Sequence, residues 1–146
     1  MREILFRGKT SENRWVEGTY FKHDTVKVCF SSDDPKPRRL IIQDGFCDWG
    51  FEPPIHCVDV APNTVGQYTG LTDKNGRKIF EGDILSTENG TFENTGMGHI
   101  LLYKGMWTCF YGQDAIGRDC FDTLCMVCNS REIIGNIHDN PELLNQ

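Results

Sequence analysis

The sequence predicts a mainly β fold of short antiparallel strands, with one short helical turn at its C-terminal end. Three observations predict it. The chain holds 15 glycines and 6 prolines but only two alanines, Ala61 and Ala115, so it is rich in turn formers and nearly lacks the strongest helix former. Its apolar residues fall in short runs of β-branched and aromatic side chains, bounded by Gly, Asn, Asp or Pro. The one helix-start signal is terminal: Asn140 suits an N-cap, Pro141 suits the first helical position, and Glu142-Leu143-Leu144 follows. At 146 residues the chain is about one domain long and can bury a core, and its 38% hydrophobic and 11% aromatic content excludes a disordered chain.

Residues 3–8 open the first strand, and the polar turn Thr10-Ser11-Glu12-Asn13 leads into a second that carries Trp15, Val16, Tyr20 and Phe21. Residues 25–30 read as another strand, 31–37 as loop and 40–43 as a short strand. Residues 44–54 are irregular, dense in Gly, Asp and Pro around Phe46, Trp49 and Phe51. A strand over 55–60 ends at Ala61-Pro62-Asn63, which sets the best internal boundary between residues 1–60 and 61–146. In the second half, 65–69 is extended, and Asp73-Lys74-Asn75-Gly76 holds an Asn-Gly pair whose residues tolerate the positive φ of a type I′ turn. Residues 77–80 return from it, and Glu81-Gly82-Asp83 is a second tight turn into Ile84-Leu85. Residues 88–98 read as a polar loop, 99–103 and 106–111 as a hairpin around Lys104-Gly105, and 124–128 and 132–138 as the last strands.

Fifteen Lys and Arg stand against 21 Asp and Glu, a net charge of −6, which disfavours non-specific binding to nucleic acid because that binding rests on clustered cations. The only basic cluster, Lys36, Arg38 and Arg39, follows Asp33 and Asp34 in a Pro-containing stretch and reads as a solvated loop. No apolar run approaches the roughly 20 residues that span a bilayer, and the start, Met-Arg-Glu-Ile, lacks a leader's apolar region. The expectation is an unexported protein with no membrane partner. Seven cysteines, an odd number, then read as free thiols of a reducing cytosol, with Cys29 and Cys109 acting as small hydrophobes inside strands.

The stretch VGQYTGLTDKNGRKIFEGDIL, residues 65–85, resembles the signature of the YopX-like proteins of bacteriophages and prophages. The ending IIGNIHDNPELL, residues 133–144, and the opening MREILFRGK with Trp15-Val16-Glu17-Gly18 behind it resemble the same family, in the same order. The resemblance implies a β-rich, phage- or prophage-encoded protein of the bacterial host cytoplasm, with no established activity and no catalytic residues to carry over. It also implies an SH3-like β-barrel in the core segment, which with the boundary at 60/61 gives an N-terminal β subdomain over 1–60 and an SH3-like subdomain over 61–146, with one compact unit as the alternative.

Few residues offer chemistry of their own. Cys125-Met126-Val127-Cys128, with Cys120 upstream, is the only metal-like spacing. Zinc would need a fourth ligand, the second Cys-x-x-Cys pair is missing, and the apolar middle reads as strand, so structural thiols are the better reading and no metal or cofactor is expected. A thioredoxin-like pair would need a helix start after a strand, which a continuing strand denies it. His56 and Cys57, as neighbours on a strand, point to opposite faces and cannot form a Cys–His pair. Asp83 beside Glu81 reads as a cap on its own turn. Trp49, Phe51 and Trp107, in or near variable loops, are the candidate interaction residues. The functional expectation is a non-enzymatic β-rich module that binds protein partners or itself. A single-stranded nucleic-acid-binding accessory factor is the alternative, and an enzyme the least favoured reading.

Overall fold

The computed structural model describes residues 4–23, 37–44, 55–86 and 97–144. The strand expected over 25–30, the irregular stretch carrying Trp49 and Phe51, and most of the loop expected at 88–98 lie outside these residues. The chain divides into two compact units, Glu3–Gln67 and Tyr68–Gln146, and the division falls inside a strand.

The first unit is an antiparallel sheet of β1 (Phe6–Lys9), β2 (Trp15–His23), β3 (Arg38–Asp44) and β4 (Ile55–Asp59), in the order β4-β3-β2-β1. The start of β5 (Gly66–Thr72) adds to it, with Arg7 opposite Gly66 and Phe6 opposite Gln67. One face carries its core, where Ile41 is fully buried and Phe6 packs on Tyr20 with ring centroids 5.4 Å apart. Two glycines let backbones close up there. A Cβ on Gly8 would sit 2.8 Å from the Val60 Cβ, and one on Gly18 would sit 2.2 Å from the Ile42 carbonyl oxygen.

In the second unit, the end of β5 pairs with β6 (Lys78–Phe80). A five-stranded antiparallel sheet follows, built from β7 (Asp83–Ser86), β8 (Met97–Tyr103), β9 (Met106–Gln113), β10 (Asp119–Thr123) and β11 (Ile133–Asn136) in the order β10-β9-β8-β7-β11. β10 and β11 are its two edges, and no closed barrel is found among the described residues. Ile79, Leu85, Ile100, Cys109, Leu124 and Cys128 form the core. The turn expected at 81–83 is present. The Phe80 N–H donates to Asp83 Oδ2 at 2.8 Å, and Gly82 takes a φ of 83°.

Two expectations are corrected. Residues 124–128 are helical: β10 ends at Thr123, α1 spans Leu124–Val127, and a 3-10 turn follows over Cys128–Ser130. Leu124 and Cys128, four apart, are buried while Cys125 and Met126 face water, which is the helical pattern. The type I′ turn falls elsewhere. At Asp73–Gly76 only the glycine has a positive φ, 79°, whereas Lys104 and Gly105 take 49° and 83°. The β8–β9 hairpin therefore has the I′ geometry, and the β5–β6 loop is of the longer kind closed by a left-handed glycine.

That longer loop recurs. In Asp73-Lys74-Asn75-Gly76-Arg77 and Asp114-Ala115-Ile116-Gly117-Arg118, the first N–H donates to the fifth carbonyl and the fourth N–H to the first carbonyl, all at 2.9 Å. Thr10-Ser11-Glu12-Asn13-Arg14 has the same pattern, with Asn13 at φ 65° in the glycine's place. In both Asp loops the carboxylate accepts from the third and fifth N–H groups and from the arginine Nε, so a side chain completes each turn.

Candidate functional site

Two features of the second unit stand out, one buried and one partly exposed. The buried one starts from a β-bulge. Cys120 pairs with Gly112 and Phe121 with Phe110, so Tyr111 is the extra residue of β9, and Gly112 takes a φ of 111°. The bulge aims Tyr111 at the Arg131 guanidinium, which donates to the phenol oxygen; the phenol in turn donates to Asp122 Oδ2 at 2.6 Å. Arg131 also donates to Asp122 Oδ2 at 3.0 Å and lies 3.5 Å from the Cys109 sulfur. Gly98 makes room for this cluster, since a Cβ there would sit 2.5 Å from Cys109 Sγ and 2.7 Å from Tyr111 Cε1.

The electrostatics of the cluster make it a tie between elements, not a reactive centre. Burial pushes the Cys109 thiol up, so it stays protonated, and it is inaccessible at 0% exposure. Burial, and then the hydrogen bond to Asp122, push the Tyr111 phenol far above its usual range. Burial opposes the charge of Arg131, but Tyr111, Cys109 and Asp122 more than offset it and hold the guanidinium protonated. The network fixes the segment after α1 against β9 and β10.

Asp73 does the same for the segment leading into β11. Its side chain is fully buried, and besides its own loop it accepts from the Ile133 N–H at 3.1 Å. Arg77 donates to the Ile133 carbonyl at 2.7 Å, and the Lys74 N–H to the Arg131 carbonyl at 2.9 Å. Burial alone would raise the Asp73 pKa, yet the N–H groups of Ile133, Arg77 and Asn75 and the Arg77 guanidinium hold it below the usual carboxylate range.

The second feature is the other, partly exposed face of β8, β9 and β10, on which Thr108 is fully buried. Register places Tyr103 opposite Met106, His99 opposite Phe110, and Phe110 opposite Phe121, so these side chains share one face. Met106 and Phe121 are exposed, and the Tyr103 ring lies 5.1 Å from that of Phe121. Lys104 over the Tyr103 ring, and Asp119 accepting from the Tyr103 hydroxyl at 2.7 Å, give the patch a charged rim. A cleft of about 150 Å³ between this face and the turn Pro141–Leu144 is lined by Met97, His99, Phe110, Leu143 and Leu144; it is too small for an ordinary small-molecule ligand, which takes roughly 300 Å³ or more. Burial keeps His99 there below its ordinary pKa.

Of the residues singled out from sequence, Trp107 lies on the core face of β9, half-buried against the main core. Trp49 and Phe51 lie outside the described residues. Cys120 is half-buried on β10, Cys125 is exposed on α1, and Cys128 is in the core. Among the described residues no group of three or more His, Cys, Asp or Glu side chains converges as a metal centre would require, and no helix is long and apolar enough to cross a membrane. The sequence reading missed Tyr111, Asp122 and Arg131; the one available signal, the repeated Asp-x-x-Gly-Arg, marks their neighbourhood and not their contacts.

The fold and these features define a mainly β protein of two antiparallel units, the second secured by turn carboxylates and a buried arginine network. Over residues 5–145 the sequence matches the family described as YopX protein, and the chain belongs to that family. It is also similar to the crystal structure of protein EF1440 from Enterococcus faecalis, at 25% sequence identity and a TM-score of 0.57, with 99% of each chain covered. No curated protein matches it.

Proposed function

We propose that this YopX-family chain is a non-enzymatic assembly module of phage or prophage origin, which pairs with a second copy of itself in the bacterial cytoplasm. The observation that carries the reading is the aromatic face of β8, β9 and β10, where Met106 and Phe121 are exposed beside half-buried Tyr103 and Phe110, and which runs, among the described residues, to the sheet edge at β10. A two-fold pairing of β10 with β10 would extend both sheets and join the two faces. Centred on Phe121 in antiparallel register, it sets Cys120 opposite Asp122 and Asp119 opposite Thr123, so no two carboxylates meet directly. The same reading takes the second unit as SH3-like. Its meander β7-β8-β9-β10, a short helix, and a final strand returning beside β7 follow that barrel's strand order. One observation favours the nucleic-acid alternative: Arg7 and Lys9 of the first unit lie over the Trp15 ring, at 4.7 and 5.8 Å from its centroid.

The test is self-association of the intact chain by a fluorescence dilution series, comparing Phe121→Glu with Ile4→Glu as an exposed control in the other unit. Phe121→Glu should weaken association tenfold or more, about 1.4 kcal/mol, and Ile4→Glu should leave it unchanged. Equal affinities in the two variants contradict the proposed face. A labelled single-stranded oligonucleotide at low salt should show no binding below about 10 μM, and binding there would favour the alternative.

A further inference from the structure

We propose that Cys125 and Cys128 are a dithiol–disulfide site, closed and reopened by exchange with a low-molecular-weight disulfide. The pair lies on the helical turn directly after β10, with Cys125 inside α1 and Cys128 continuing it at φ −58° and ψ −36°, its N–H donating to the Leu124 carbonyl. Helical residues three apart are neighbours with Cβ atoms about 5–6 Å apart, so a disulfide, whose Cβ atoms lie about 3.5–4.5 Å apart, closes when the turn tightens by roughly 1–2 Å. Both thiols are free, and the Cys128 sulfur already lies 3.9 Å from the Cys125 carbonyl oxygen, over the backbone of its partner.

The two cysteines differ as an attacking and a resolving thiol must. Cys125 is exposed, whereas Cys128 is 3% exposed and packs in the core, so an external disulfide reaches only the first. The Cys125 thiolate attacks one sulfur of the small disulfide, expelling one small thiol and leaving a mixed disulfide. The Cys128 thiolate then attacks the Cys125 sulfur, expelling the second small thiol and closing the Cys125–Cys128 bond. Two protein thiols are oxidised and one small disulfide is reduced to two thiols, which balances the exchange. Closure draws the Cys128 sulfur out of the cluster it shares with Ile79, Leu85, Ile100, Cys109 and Leu124, three residues before Arg131 enters its network. In a reducing compartment such a bond forms transiently, as redox-responsive disulfides do.

The intact chain is incubated with oxidised glutathione, quenched by acid and mapped by peptide mass spectrometry. The wild type should show an intramolecular Cys125–Cys128 bond, lost on adding excess reduced glutathione. Cys128→Ala should stop at one glutathione on Cys125. Cys125→Ser, a change at an exposed position that leaves the core intact, should leave Cys128 unmodified. Overturning results are a wild type whose two thiols stay free, one that keeps glutathione on Cys125 without closing, or glutathione on Cys128 in Cys125→Ser.

Discussion

Asp73 is a carboxylate whose burial is more than offset by what it accepts. Its folded pKa lies below the unfolded value, so the unfolded chain binds the proton more tightly. The stability it contributes is present above the unfolded pKa, near 4, and is lost as pH falls through the lower folded value. Asp73→Asn should therefore cost about 1–3 kcal/mol near neutral pH, measured by urea denaturation, and the gap from wild type should close in acid. A gap that does not change with pH would mean that the charge contributes nothing. Asp114 makes the same loop bonds from a more exposed position and lacks the tie to β11, so Asp114→Asn should cost less. Tyr111 supplies the second residue-scale prediction. Its phenol is held far above its usual range, so an alkaline absorbance titration should show a phenol that titrates only on unfolding, and Tyr111→Phe should abolish that step. These roles were half legible. An Asp opening a Gly-containing loop announces a side-chain-capped turn, and Asp83 was readable on the same grounds. The partners of Arg131 lie 20 and 9 residues away, and they meet because a bulge re-aims Tyr111, which no local spacing reveals.

At the level of elements, the hairpins at 65–80 and 99–111 were the most legible parts, because Gly and Asn at loop ends and β-branched runs beside them agree on the same answer, whereas β10 and its hairpin with β9 were not read. The assignment of turn types was less so: Asn-Gly fits a type I′ turn, but the five-residue loop closed by Asp73 and Arg77 lets only Gly76 take positive φ. The helix over 124–127 escaped because four residues cannot display a 3.6-residue period, and Cys and Val suit a strand equally well. Packing decides it, by burying Leu124 and Cys128 on one side. The β8–β9 sheet carries a prediction of its own. Gly98→Ala drives a Cβ into Cys109 and Tyr111, and overpacking of that kind costs about 1–3 kcal/mol. A thermal melt should show a clear loss for Gly98→Ala, and an unchanged midpoint would mean that the Tyr111 cluster yields without cost.

For the molecule as a whole, the mainly β class and the family followed from composition and from three stretches of sequence; the class holds among the described residues and the family match over residues 5–145. The candidate contact face did not. Tyr103, Met106, Phe110 and Phe121 lie on three strands, and only their register puts them on one face; the first three read as ordinary strand residues, and the strand that carries Phe121 was not read from sequence. That face underlies the central claim that the chain works by pairing with its own copy. Light scattering on the untagged protein across a hundredfold concentration range tests it most directly. The mass should reach twice the 16.7 kDa of one chain at the upper end and fall toward one chain on dilution. A particle that stays at one chain's mass throughout would contradict the claim.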